Sequence, residues 1–149
     1  MGQKIIRKAG LLIYDQQQNG ILLIQKSKSK KWGLPKGHYE DKDNDDLKQT
    51  AKRETLEEIC LTENINYTPN YNIYKEVKYL THESSNTILT LFFATTIGNI
   101  DSAIVYGDKE IQTHKWIKIE EVPNYITNKE IAKLILDVYS QGVLGTEMK

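Results

Sequence analysis

The order of periodic segments predicts an α/β fold, a mixed sheet with helices on both sides. Three observations carry this expectation. Ile- and Leu-rich runs with the length of strands open the chain. Apolar residues at i, i+4 mark a helix near its middle, and a strand-rich second half ends in another amphipathic helix. At 149 residues the sequence fits one domain, 1–149, large enough to bury a self-sufficient core. No internal repeat or linker divides it.

Ile5–Tyr14 and Ile21–Gln25 read as strands. The polar segment Asp15–Gly20 joins them, and Asn19-Gly20 is its strongest turn signal. Lys26–Lys31 reads as a solvated basic loop whose position also leaves substrate steering open. Asp45 or Asp46 caps a helix over Leu47–Ile59. Leu47, Ala51, Thr55 and Ile59 form its buried stripe, with Leu56 flanking it. Tyr71–Thr81 and Thr87–Thr96 read as further strands, joined as a hairpin through His82–Asn86. His114–Ile119 is a short strand. Thr127 or Asn128 caps a last helix, Lys129–Gln141, with Ile131, Leu134, Ile135 and Val138 on its apolar face. The tail from Gly142 reads as frayed.

Charge balance bounds the function. Lysine and arginine number 20, as do aspartate and glutamate. That balance argues against broad binding to nucleic acid or to an anionic membrane, which needs a basic excess. The single cysteine, Cys60, cannot form an intrachain disulfide. No segment has the pattern of a signal peptide or a bilayer span. The expectation is a cytoplasmic protein with a small-molecule partner. No protein partner is inferable from the sequence.

The most informative stretch runs from Gly33 to Leu61. Arg53-Glu54-Thr55-Leu56-Glu57-Glu58 places three carboxylates within about one and a half helical turns. Glu54 and Glu58 are i, i+4 neighbours, and like charges at such spacing cost roughly 0.2–0.5 kcal/mol per pair. Arg53 offsets part of this through Glu57 but cannot neutralise three carboxylates. A hard divalent cation can, because Mg²⁺ takes oxygen ligands and binds through a few carboxylates plus substrate phosphates. The plain alternative is a solvated acidic helix face. What weighs against it is the loop just upstream. Lys36 and His38 can reach phosphate oxygens, and Gly37 lets backbone approach a metal or ligand.

Read together, Gly37, Arg53-Glu54, Glu57-Glu58 and Leu61 resemble the Nudix box, G-x5-E-x7-R-E-U-x-E-E-x-G-U, where U is bulky and apolar. The spacing from Gly37 to Arg53 is two residues longer than that pattern. The early box glutamate is missing, with Asp43 or Asp45 in its place. Cys60 stands where the box has a glycine that ends the helix in a left-handed conformation, a substitution costing of order 1 kcal/mol. Thr55 replaces a large apolar residue. Within the family the chain is nearest in pattern to asymmetric diadenosine tetraphosphate hydrolases. Trp32 through His38 resembles their W-x-x-P-K-G-H loop, Asp45-Asp46-Leu47 through Thr55 their D-D-L…T-A-x-R-E-T helix, and Glu110 with Trp116 their E-x5-W segment. Their histidines beside that glutamate are absent, since Lys109 and Ile111 flank Glu110.

The resemblance implies a Nudix-type α/β/α sandwich and a Mg²⁺-dependent pyrophosphohydrolase, with Mn²⁺ a possible substitute. The implied substrate is a dinucleoside polyphosphate, diadenosine tetraphosphate being split into ATP and AMP. It implies that Glu54, Glu57 and Glu58 hold the metal with the Gly37 carbonyl. Glu110 is a further ligand or the general base, and which glutamate takes the proton stays open. Arg53 orients the glutamates. Lys36 and His38 neutralise the phosphate chain, His38 being otherwise an ordinary loop histidine. Tyr79 is a candidate to stack on a purine, or else a core or rim tyrosine. The alternatives are an enzyme for RNA 5′ ends or caps, one for diphosphoinositol polyphosphates, and a Nudix-fold module that binds without catalysis.

Overall fold

An apolar strand with partners along both edges organises the sheet. The structure, a computed structural model, describes residues 5–80 and 85–140. Its strands are β1 (Ile5–Asp15), β2 (Gly20–Lys26), β3 (Trp32–Gly33), β4 (Lys36–His38), β5 (Tyr67–Leu80), β6 (Asn86–Thr96) and β7 (Ile111–Lys118). The helices are α1 (Leu47–Ile59) and α2 (Lys129–Ser140). One mixed sheet runs β3-β2-β1-β6-β5, with β4 paired to β1 and β7 to β2. β1 and β6 are parallel from Ile5 opposite Asn86 to Tyr14 opposite Thr95. The other ladders are antiparallel.

From Ala9 to Asp15 every residue of β1 is buried. Successive side chains point to opposite faces, so this run feeds two cores. Leu12 and Tyr14 pack with Leu89, Leu91 and Phe93 and with Ile131, Ile135 and Val138 of α2. Ala9, Leu11 and Ile13 pack with Phe92 and with Ala51 and Ile59 of α1. The sheet therefore carries one helix on each side, the expected Nudix architecture.

Several boundaries differ from the sequence expectation. β5 begins at Tyr67 rather than Tyr71, although Pro69 and Asn70 interrupt the strand-like pattern. As the last strand of the sheet it tolerates proline, and the ladder shifts register between Asn70 and Tyr74. β7 begins at Ile111 rather than His114 and stops before Ile119, which opens a 3-10 turn containing Pro123. Lys36–His38 is a short strand, not a loop. Leu56 is 49% exposed and does not flank the buried stripe of α1. Asp46 is the cap of α1, accepting from the Lys48 N–H, whereas Asp45 sits at positive φ. Asn128, not Thr127, accepts from the Ile131 N–H at the start of α2. Leu80 lies opposite Asn86 in the β5–β6 pair, while Thr81, residues 82–84, Gln141 and the tail from Gly142 fall outside the described residues. Among the described residues no helix is long and apolar enough to cross a membrane.

Cys60 closes α1 at φ 59°, ψ 27°, with its N–H donating to the Leu56 carbonyl. This is the left-handed region, where a Cβ crowds the backbone. Cys60→Gly removes that strain but adds unfolded-chain entropy, leaving a net gain of about 0.5–1 kcal/mol. Urea denaturation should show a higher midpoint with an unchanged slope. An unaltered midpoint would mean that no strain is stored there.

Candidate active site

Close approach of β4 to α1 builds the site. β4 is fixed by its ladder to β1, with Lys8, Ala9 and Gly10 opposite His38, Gly37 and Lys36. The Leu11 N–H donates to the Pro35 carbonyl at 3.0 Å, and a Cβ on Gly10 would overlap that carbonyl oxygen. A Cβ on Gly37 would likewise overlap the Glu54 carboxylate. Only glycine admits this contact between the β4 backbone and an acidic side chain. One turn further along α1, Glu58 Oε1 accepts from the Lys36 N–H at 3.1 Å. The i, i+4 spacing thus aims Glu54 and Glu58 at the same strand.

Arg53 locks this arrangement. Its Nε and one terminal nitrogen donate to the two Asp43 oxygens, each at 2.9 Å. The same terminal nitrogen donates to the His38 carbonyl at 3.0 Å. The other terminal nitrogen reaches Glu54 at 2.8 Å, Glu40 at 2.9 Å and Glu57 at 3.4 Å. Asp43 is buried and also accepts from the Thr50 hydroxyl and the Glu40 N–H. The Arg53 guanidinium holds the Asp43 carboxyl far below the usual carboxylate range. Asp45, by contrast, is exposed and lies 3.7 Å from Arg7. Of the two aspartates left open by the sequence, Asp43 is the one that engages Arg53.

The three glutamates of α1 differ in environment. Glu57 is half exposed and near Lys42 as well as Arg53. Burial raises the Glu54 carboxyl pKa, with Arg53 opposing the rise. Glu58 is 4% exposed. Burial first, then the nearby Glu54, push it up to about 7. At the helix end the Val105 and Gly107 N–H groups donate to the Ile59 and Glu58 carbonyls. This docks the segment that precedes β7 onto α1.

Lys36, Glu58 and Tyr79 line one cleft of roughly 460 Å³, together with Lys8, Lys26, Lys31 and Trp32. Burial and the neighbouring lysines lower the Lys36 pKa to about 8. Burial raises that of Tyr79, which is half-buried. His38 is exposed and outside the cleft lining; its carbonyl serves Arg53. Glu110 is also exposed. Its backbone is tethered, the carbonyl accepting from the Ser27 N–H and hydroxyl and the N–H donating to Asp108. Among the described residues no three His, Cys, Asp or Glu side chains converge tightly enough to hold an ion. The structure joins Glu54 and Glu58 at β4, and Glu57 shares one Arg53 nitrogen with Glu54. Sequence reading missed Lys8 in the cleft, although a lysine on a core-facing row of β1 was a signal.

The NUDIX domain family model matches residues 4–138. The chain belongs to the Nudix family. It is a Nudix hydrolase, a class that acts on phosphoric anhydrides and generally uses a divalent metal such as Mg²⁺. The structure is similar to a C. elegans Ap4A hydrolase in a binary complex, at 25% identity and TM-score 0.79, covering 94% of this chain and 98% of that one. In fold it is also similar to the MutT protein of Methanosarcina mazei Go1, at 16% identity and TM-score 0.75, covering 95% and 98%. A third similar fold is the NUDIX domain of Shewanella oneidensis NrtR complexed with ADP ribose, at 19% identity and TM-score 0.67, covering 95% and 89%. No curated protein sequence matches the chain.

The donor set of this Nudix chain suits a hard cation. Gly37 leaves room for the Glu54 carboxylate against the β4 backbone, and burial first, then repulsion from Glu54, lifts the Glu58 pKa. A cation relieves that repulsion.

Two outcomes follow from the buried carboxylates. Asp43→Asn breaks a buried bidentate pair and should cost roughly 3–5 kcal/mol, measured by chemical denaturation; a loss under 1 kcal/mol would remove Asp43 from this role. Glu58 titrates in the opposite sense to a paired carboxylate. Its folded pKa lies above its ordinary 4.5, so in metal-free protein stability falls as pH rises from about 4.5 to about 7. Glu58→Gln should flatten that decline and gain on the order of 2 kcal/mol at pH 8. Melting curves in chelator across this range would show it, and an identical slope in the variant would refute it.

Proposed function

We propose that this Nudix hydrolase is a Mg²⁺-dependent pyrophosphohydrolase of dinucleoside polyphosphates, splitting diadenosine tetraphosphate into ATP and AMP. The observation that carries the reading is the single cleft holding Trp32 and Tyr79 together with Lys36 and Glu58. Aromatic faces suit a nucleobase, and the lysines suit a phosphate chain. The likeness to the C. elegans Ap4A hydrolase supports the same choice.

In this reading Glu54, Glu57 and Glu58 hold the cation with the Gly37 carbonyl, and Glu110 joins as a ligand or as the general base. The bound cation would polarise a phosphoryl oxygen and lower the pKa of a water. Tyr79 stacks on a base. Lys36 and His38 neutralise phosphate oxygens. Arg53 touches no substrate and holds Glu54 and Glu57 in place. A water oxygen bonds to phosphorus, a phosphoric anhydride bond breaks, and a glutamate takes the water proton. The bridging oxygen leaves with the nucleotide product. A small nucleotide substrate and the single cysteine, Cys60, support a cytoplasmic location.

A second reading has one observation in its favour. Four lysines line the cleft, the density that a diphosphoinositol polyphosphate demands. Such a substrate has no aromatic ring to stack on Trp32 or Tyr79.

Glu58→Gln should lower kcat by about 10²–10⁴-fold on diadenosine tetraphosphate with Mg²⁺. Product analysis should identify ATP and AMP with the native protein. Near-native turnover by a folded variant would displace Glu58 from the chemistry. Preferential cleavage of a diphosphoinositol polyphosphate would favour the second reading.

A further inference from the structure

We propose that Lys8 and Lys26 form, with Lys36, a subsite that selects substrates by the length of their phosphate chain, favouring long chains over diphosphates. The inference deepens the polyphosphate reading of the cleft and rests on it.

Lys8 sits where an aliphatic residue would serve the fold. Alternation along β1 puts it on the face of Leu12 and Tyr14, both core residues. In the ladders Lys8 stands opposite Leu89, and Leu89 opposite Val77, again core residues. Lys8 is half-buried there. Lys26 ends β2 where the ladder to β7 shifts register between Gln25 and Lys26. Such an irregularity re-aims a side chain. The Lys26 backbone is held on both sides, its N–H donating to the Lys31 carbonyl and its carbonyl accepting from the Lys30 N–H. Among the described residues neither ammonium has a carboxylate within ion-pair distance.

Both residues line the cleft that holds Lys36, Glu58 and Tyr79. That cleft is lined by four lysines and one glutamate, although the whole chain carries no net charge. Mutual repulsion among Lys8, Lys26 and Lys36 adds to the imbalance. Lys8, on a row otherwise apolar, and Lys26, exposed at the end of β2, make the cleft's cations outnumber its one carboxylate, Glu58, and leave it suited to a further anion. A diphosphate is matched by Lys36 and a cation at the glutamates. Three lysines match the added charge of a longer chain.

The test measures binding of inorganic tripolyphosphate and of pyrophosphate by titration calorimetry with Mg²⁺ present. The native protein should prefer tripolyphosphate. In the variant carrying Lys8→Ala and Lys26→Ala, the ratio of the two affinities should fall roughly 10- to 100-fold. Lys8→Arg, which keeps the charge, should retain most of the ratio. An unchanged ratio overturns the proposal, whether both affinities fall together or neither moves. Unaltered melting temperatures check that the variants fold. The assay needs no nucleotide. If the native protein shows the preference but leaves diadenosine tetraphosphate intact, the proposed substrate fails and the subsite stands. If it cleaves that substrate and the ratio survives the double substitution, the subsite fails alone.

Discussion

The Arg53 guanidinium is the contact on which the site depends. It joins three segments that would otherwise be independent: the acidic stretch before α1, the helix itself and the carbonyl of His38 at the end of β4. Its side chain is 14% exposed and that of Asp43 3%. At such burial a charge is tolerated only with its partner and its hydrogen bonds in place. Arg53 and Asp43 therefore specify one another. That mutual requirement fixes the rotation of α1 about its axis, and with it the direction of Glu54 and Glu58.

A second constraint is steric. Gly10 admits the Pro35 carbonyl to β1, and Gly37 admits the Glu54 carboxylate to β4. These two contacts bring a helix from one face of the sheet to the edge of a cleft on the other. Glu58 belongs to α1, yet it lines the cleft with Tyr79 of β5 and Asn128 at the start of α2. Acid and base groups that lie on opposite sides of the sheet thus meet at one border. The buried carboxyl of Glu58 and the lowered pKa of Lys36 follow from this meeting, since both groups lose water there.

The helix was legible because its signals are local. Leu47, Ala51, Thr55 and Ile59 recur at the helical period, and Asp46 caps the run. Leu56 was misjudged because the buried arc is narrower than the apolar pattern suggests. Ala51 and Thr55, both fully buried, are the small residues that press α1 onto the sheet. The start of β5 was hidden by Pro69 and Asn70, whose poor strand propensity an edge position tolerates. The contact of Glu57 with Arg53 was legible from its i, i+4 spacing, whereas its neighbour Lys42 comes from the turn before α1 and was not.

By itself, the sequence determined the carboxylate helix, the glycine-bearing segment just before it and the alternation of strands and helices. Each depends on residues within a few positions of one another, where helical and strand periods act directly. Tertiary structure alone decided that Asp43 rather than Asp45 meets Arg53, and that Lys8 shares a cleft with Lys26 and Lys36. The second pairing joins distant parts of the chain; the first spans the irregular segment between Asp43 and α1, which carries no periodic signal. The face that Lys8 takes is set by the parallel register of β1 with β6 and the antiparallel register of β1 with β4, and a one-residue slip in either would turn its side chain to the other face.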